Sequence, residues 1–277
     1  MHRKILAAAL FGCLVATSTA MAHDTWFAAL PSSRSGEVNL LQGTGDPYPL
    51  QQTSPGVGGL AQQGCRQGSG PILPLTPLKP LRETRTAVLL QAKVAGSGAI
   101  TCWAQLNPFE IELAADKIEL YLKEINAPQA VREQWAAWSA RGLPWKERYT
   151  KYARIELSGS GDALPSPISI PIPIGMDIVL DASVLPLRVG NTISFRVLRD
   201  GAPLPNFAVQ MRSALSPLGL WMKTDADGRA SIRVPLAGRW LLRGTELRVS
   251  EISPETWESR FVTLAFDALA KTASASD

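Results

Sequence analysis

Histidine is nearly missing from this chain: it occurs twice in 277 residues, at His2 and His23. A Ser–His or Cys–His nucleophile pair needs an imidazole held beside it by the fold, and histidines found only near the start of the chain are poorly placed for that. No Walker phosphate loop and no G-x-S-x-G elbow occurs either, so the residues point away from an enzyme. Carboxylates are plentiful, yet nothing singles out a pair for glycoside hydrolysis. Cysteine is scarce, with Cys13, Cys65 and Cys102 only, and none of them makes a C-x-x-C redox or metal motif. A dominant charge is missing as well: 28 basic residues stand against 24 acidic ones, with no basic cluster interleaved with aromatics, which excludes a nucleic-acid partner. Long apolar runs are absent beyond the first 22 residues, so the rest of the chain carries no transmembrane segment.

Those first 22 residues have the form of a secretory leader. Met1-His2-Arg3-Lys4 is a short positive start, Ile5 to Ala16 is apolar, and Ala20 and Ala22 stand in an A-x-A arrangement before His23. The apolar run is too short to span a bilayer, which takes about 20 residues. The expected location is therefore the periplasm, with His23 as the first mature residue. A cut after Ala20 is the competing site and would leave Met21-Ala22-His23. Processing as a lipoprotein at Cys13 fits less well, because Phe11 is a poor lipobox residue and the apolar run continues past the cysteine. The two cysteines left after export read as a Cys65–Cys102 disulfide, since an even pair in an oxidising compartment is most simply a bridge.

Gly and Pro, 22 and 21 residues, are spread along the chain, which favours short strands and many turns. Strands are expected at Val38–Leu41, Ala87–Val94 and Ile100–Leu106, with a loop-rich stretch from Gln51 to Pro80. The one helical region is 114–142. There Ile118, Tyr121, Leu122 and Ile125 share an apolar face, Asp116 with Glu119 resembles a capping box, Pro128 opens a second helix, and Gly142 closes it. After a proline-rich connector, Ile193, Phe195 and Val197 alternate with polar residues, Asp200-Gly201 marks a hairpin, and Ala230, Ile232 and Val234 alternate again. This predicts a mainly β protein of two β-sandwich-like domains with a helical hairpin inserted near 114–142. The expected organisation is a leader at 1–22, an N-terminal β-rich domain at 23–180, a C-terminal sandwich at 181–268 and a disordered tail at 269–277.

Four features invite chemistry, each beside a plainer reading. A mature His23 would offer its amine and imidazole to one metal ion, with the Asp24 carboxylate beside them. The earlier cut would place histidine third, a pattern that binds Ni(II) or Cu(II) in a square plane through amine, two amides and imidazole. The plain alternative is a solvated residue capping the first strand. Asp225-Ala226-Asp227-Gly228 suggests calcium, but Val234 stands where an EF-hand needs Glu, so a turn is favoured. Lys151 between Tyr149 and Tyr152 could hold an anionic ligand, although the alternation Tyr149, Lys151, Ala153, Ile155 favours a strand with mixed faces. Trp135 and Trp138 could line a groove; at helical spacing they are more often core.

Several stretches together resemble a known family. Gly201-Ala202-Pro203-Leu204, Thr224 to Gly228 and Gly238-Arg239-Trp240 resemble the transthyretin-like, carboxypeptidase-regulatory-like sandwich. Ala22-His23-Asp24-Thr25-Trp26, Arg148 to Ala153, Trp257-Glu258-Ser259 and Thr263-Leu264-Ala265-Phe266 resemble the periplasmic family called domain of unknown function 4198. Some of its members accompany nickel or cobalt uptake systems. The resemblance implies a transthyretin-like C-terminal sandwich and a non-enzymatic accessory protein. Such a protein would capture a divalent transition metal, Ni(II) or Cu(II) before Co(II), at His23 and Asp24 for a metal transporter or outer-membrane receptor. The alternative, from another class, is a structural or protein-interaction module of the cell envelope without a metal.

Overall fold

The computed structural model describes residues 23–271 apart from 33, 35, 96–97, 159–169 and 182–184. The expected leader lies outside them, as do much of the proline-rich connector and the tail beyond 271. Two antiparallel strands open the described chain, β1 (Asp24–Leu30) and β2 (Glu37–Gly45). Then come β3 (Leu60–Gln67), the short β4 (Ile72–Leu73) and β5 (Thr76–Pro77), β6 (Val88–Lys93), β7 (Ile100–Leu106) and β8 (Phe109–Leu113). Helices α1 (Ala115–Glu124) and α2 (Gln129–Ala140) lead into the long β9 (Trp145–Leu157). Beyond it follow β10 (Met176–Leu180), β11 (Leu187–Arg188), β12 (Thr192–Arg199), β13 (Ala202–Pro203), β14 (Ala208–Ser213) and β15 (Ser216–Lys223). The last strands are β16 (Arg229–Arg233), β17 (Gly238–Val249) and β18 (Trp257–Leu269).

The mainly β class is as expected, and its layers follow from side-chain alternation along the longest strands. One sheet of ten strands runs β15-β14-β17-β18-β9-β7-β3-β4, with β8 on β9 and β11 on β18. Its centre is the parallel pair β9 and β18, so the sheet takes strands from both sides of residue 180. Successive residues of a strand point to opposite faces. Even-numbered residues (Tyr152, Val262, Leu264, Trp240, Leu242) join Ile178, Phe195 and Val197 of the small sheet built on β10 and β12 in one apolar core. Odd-numbered residues face the other way and meet two separate cores. Ala153, Ile155, Leu241 and Ala265 pack with Trp26, Leu40 and Leu90 of the sheet β1-β2-β6-β5. Trp145, Leu247, Trp257 and Phe261 pack with Ile118, Leu122, Val131 and Trp138 of the two helices.

The helical hairpin forms where the 3.6-residue pattern predicted it. Ile118, Tyr121, Leu122 and Ile125 are all buried. The second helix ends in a Schellman motif, with Gly142 at φ 74° and its N–H on Ser139 O, and the Leu143 N–H on Trp138 O. The capping box is not made: α1 starts at Ala115 after Ala114, with no side-chain cap. Asp116 therefore lies inside the first turn, where it still complements the helix dipole. Trp138 packs at a tilt against Trp257 with centroids 4.8 Å apart and Trp135 packs partly buried against the same core, so the core reading of the tryptophans holds.

Strand β3 was not legible in the stretch from Gln51 to Pro80, because its residues are Gln- and Gly-rich. It forms because Gly64 leaves room for Trp103 on β7, where a Cβ would lie 2.8 Å from the indole ring. The same pairing sets Cys65 directly opposite Cys102, and the two make the expected disulfide, buried in the core against the β1-β2-β6 sheet.

Candidate functional site

The two cores on the odd face of the ten-stranded sheet do not touch edge to edge; a polar seam separates them. Cross-strand register builds it. Gln210, Arg243 and Thr263 form one row, with Arg243 opposite both Gln210 and Thr263, and Thr245, Phe261 and Lys151 form the next. The start of β1 descends into this seam. Asp24 lies opposite Gly45, Thr25 opposite Thr44, and the Thr263 hydroxyl donates to Thr25 O at 2.6 Å. Extending that register sets His23 opposite Asp46. Gln51 clamps the strand by donating to Trp26 O at 2.9 Å.

Asp24 is only 1% exposed, and its Oδ2 is 2.7 Å from Nε of Arg243, itself 2% exposed. Asp24 Oδ1 and Arg243 Nε and Nη2 have no hydrogen-bond partner among the described residues, so the pair meets as charges without an aligned hydrogen bond. Burial pushes the Asp24 carboxyl upward, and Arg243 pulls it back. Lys151, 8% exposed, lays its ammonium over the rings of Tyr149 and Phe261, 5.0 and 5.6 Å from their centroids. Desolvation lowers it to about 8 against the opposing pull of Asp24 and Glu147. Glu147 closes the helical side of the seam, accepting from Tyr121 and Trp145, each at 2.8 Å, and from the Ser259 hydroxyl.

At the outer side, Arg212 of β14 donates to the Asp46 carbonyl at 3.0 Å and to Gln210. Burial and the neighbouring Arg243 lower its affinity for its proton. Glu124, at the end of α1, is pushed up by burial and by Asp46. His23 is half-buried here. Desolvation and Lys151 hold its imidazole below its usual range, against the opposing pull of Asp46 and Asp24.

His23 and Asp24 thus sit at one seam in different roles. Asp24 lies in the core as the partner of Arg243, while His23 stands at the mouth. Among the described residues, no three His, Cys, Asp or Glu side chains gather closely enough to hold a metal ion. Lys151 is on a strand, as its alternation indicated, and is buried as well. The Asp225 carboxylate accepts from the N–H groups of Asp227 and Arg229, which makes that segment a turn. Arg243, Arg212, Asp46 and Glu124 were missed by sequence reasoning. A signal for Arg243 existed: it shares the inward parity of Leu241 and Leu247, where a charge is out of place.

Among solved structures the chain is similar to the D0-D1 domain of Intimin, at 12% identity over 88% of this chain and 97% of that one, with a TM-score of 0.21. No curated protein matches it. The family described as Domain of unknown function (DUF4198) matches residues 20–245. Most of the described fold, including β1 with His23 and Asp24 and the β17 strand up to Thr245, falls inside that match, and the chain belongs to the DUF4198 family.

Proposed function

We propose that this is an exported, non-enzymatic accessory protein of the periplasm that captures a divalent transition metal at its processed N-terminus, Ni(II) or Cu(II) before Co(II). A metal transporter or outer-membrane receptor would take the metal over. The observation that carries this reading is the place of His23: half-buried, one residue before β1, at the outer end of a charged seam. Side chains alone do not complete a coordination sphere there, so the remaining donors are backbone groups. A cut after Ala22 supplies the α-amine, and a cut after Ala20 supplies the amine and two amides. Asp24 holds the strand in place through Arg243 and leaves the metal to its neighbour. Mass spectrometry of the mature protein fixes the cut. Calorimetry with Ni(II) and Cu(II) on the processed protein, an N-terminally extended form and His23→Ala then decides. Tight binding by the processed protein alone supports capture; equal binding by all three, or none by the processed protein, removes it.

A second reading rests on a different surface. Strand β15 is one edge of the ten-stranded sheet among the described residues, and around it Leu215, Leu218, Leu220 and Trp221 are exposed. An open edge flanked by apolar side chains is a template for an added strand. This favours an envelope interaction module if the metal site fails.

A further inference from the structure

We propose that the outer edge of β1 takes up an extended, uncharged peptide segment of another polypeptide as an added strand, with one apolar side chain of that segment seated in the pocket beside Phe27 and Ala29. This surface is separate from the start of β1 and from β15, and the inference rests on neither reading above.

The first observation is an unpaired backbone edge. Among the described residues β1 ends its sheet, with β2 as its partner strand. The N–H of Thr44 donates to Thr53 and its C=O accepts from Gln52 and Thr53, so both groups point away from β1. Its register partner Thr25 therefore points away from β2, and the Thr25 C=O accepts from the Thr263 hydroxyl of the larger sheet. Alternation then turns the N–H and C=O of Phe27 and Ala29 outward as well, while Trp26 and Ala28 spend theirs on β2. None of the four outward groups on Phe27 and Ala29 has a hydrogen-bond partner among the described residues. The next outward position is Pro31, which has no N–H, so the open stretch is short.

The second observation is a pocket along that same edge. It holds about 400 Å³ of space and is lined by residues 26–29, by Tyr48, and by Ile155 and Ala265 near the ends of β9 and β18. That volume is at the small end for ligand pockets, roughly 300–1,000 Å³, and suits a single side chain. Trp26 keeps its buried indole Nε1 without an acceptor among the described residues. Arg239 and Asp267 also line the pocket, as register partners on β17 and β18, and make no ion pair with each other. Glu156 is spent on Arg154 and Thr101. One free charge of each sign leaves the wall neutral, which complements an uncharged main chain and gives a charged ligand no net attraction. Alternating N–H and C=O groups on an open strand edge are matched by extended main chain, and the adjoining pocket takes the side chain that points into it.

A titration followed by amide nuclear magnetic resonance tests this, with the capped peptide acetyl-Thr-Val-Leu-Val-Thr-amide as the probe. The amide signals of Phe27 and Ala29 are expected to shift on binding. Serine in place of the central leucine should weaken binding about tenfold, because the pocket loses its apolar occupant. N-methylation of the leucine or of the valine after it should weaken binding about fivefold at one position and leave it unchanged at the other, since only alternate residues face β1. Ala29→Pro removes an outward N–H that β2 does not use, and proline is tolerated on strand edges, so the fold should stand while binding weakens about fivefold. The changes made in the peptide decide the matter whether or not that variant folds. If both N-methylated peptides bind like the parent, the pocket holds a side chain alone and strand addition is overturned. Binding that survives Ala29→Pro in full places the peptide on another edge and overturns the proposal. No binding of any probe overturns it too.

Discussion

Two buried charged groups lie on opposite faces of the same ten-stranded sheet, and they differ in how completely they are joined. On the even face, Arg154 of β9 reaches Glu156 at 2.6 Å and Asp177 at 2.9 Å. Glu156 also accepts from Thr101, and Asp177 from the Ile172 N–H. That network ties β7, β9, β10 and the start of the segment after 169 together, and among the described residues Asp177 Oδ1 alone of its carboxylate oxygens lacks a partner. On the odd face, Arg243 and Asp24 meet through one close ion pair, with one atom of Asp24 and two of Arg243 lacking a hydrogen-bond partner, and beside them Lys151 has no carboxylate partner among the described residues. The first arrangement is what a buried ion network needs in order to fix geometry. The second leaves polar capacity unmatched among the described residues.

The comparison is sharpest when each group is cut. Arg154→Ala should give the largest loss, about 3–5 kcal/mol in denaturant unfolding, because it strands two buried carboxylates. A loss under about 1 kcal/mol would show that this network does not hold the sheets together. Asp24→Ala leaves one buried guanidinium stranded and should cost less, about 2–3 kcal/mol, with most of it recovered by adding Arg243→Met. If the double variant is no more stable than the single one, the pair is not the source of the loss.

Lys151 gives an alkaline pH signature. Its folded-state value of about 8 lies below the ordinary 10.5, chiefly through burial, with Asp24 and Glu147 facing it and pulling the other way. Between those values the unfolded chain binds more protons than the folded one, so stability rises with pH through that window. The penalty of the buried charge is fully present below pH 8. Unfolding measured from pH 7 to 10 should show this rise in the wild type and lose it in Lys151→Met; parallel curves would place the ammonium in water. The smallest effect is expected at His23, where Ala should change stability by less than about 0.5 kcal/mol, since the residue is half-exposed and precedes the first strand. A larger loss would make His23 part of the core.

Elements built from neighbouring residues were legible in advance. Asp200 and Gly201, at φ 51° and 80°, form the two-residue turn that joins β12 to β13, as an Asp-Gly pair with positive φ at both positions does. Strand β7 has the limits its residues predicted, and the helical hairpin follows its apolar stripe. His23 and Asp24 were singled out by chemistry, but as a loose chain end. Asp24 is instead one of the most deeply buried charges, and nothing near it in sequence announces this. Its partner Arg243 lies more than 200 residues away, and the two meet only because β1 packs across β18 and β9.

Alternation, helical period, turn residues and an even cysteine pair act over a few residues, so the sequence by itself determined the strand and helix types, the hairpin turn and the Cys65–Cys102 bridge. Pairing β9 in parallel with β18 spans about 100 residues, and the choice of that partner depends on which faces must be covered at once. Only the tertiary structure decided that two separate cores would share one face of a sheet, and that a seam of Asp24, Lys151, Arg212 and Arg243 would lie between them. The reason is physical: a charge becomes buried, paired or stranded through the packing of distant strands, and local propensity carries no record of that packing.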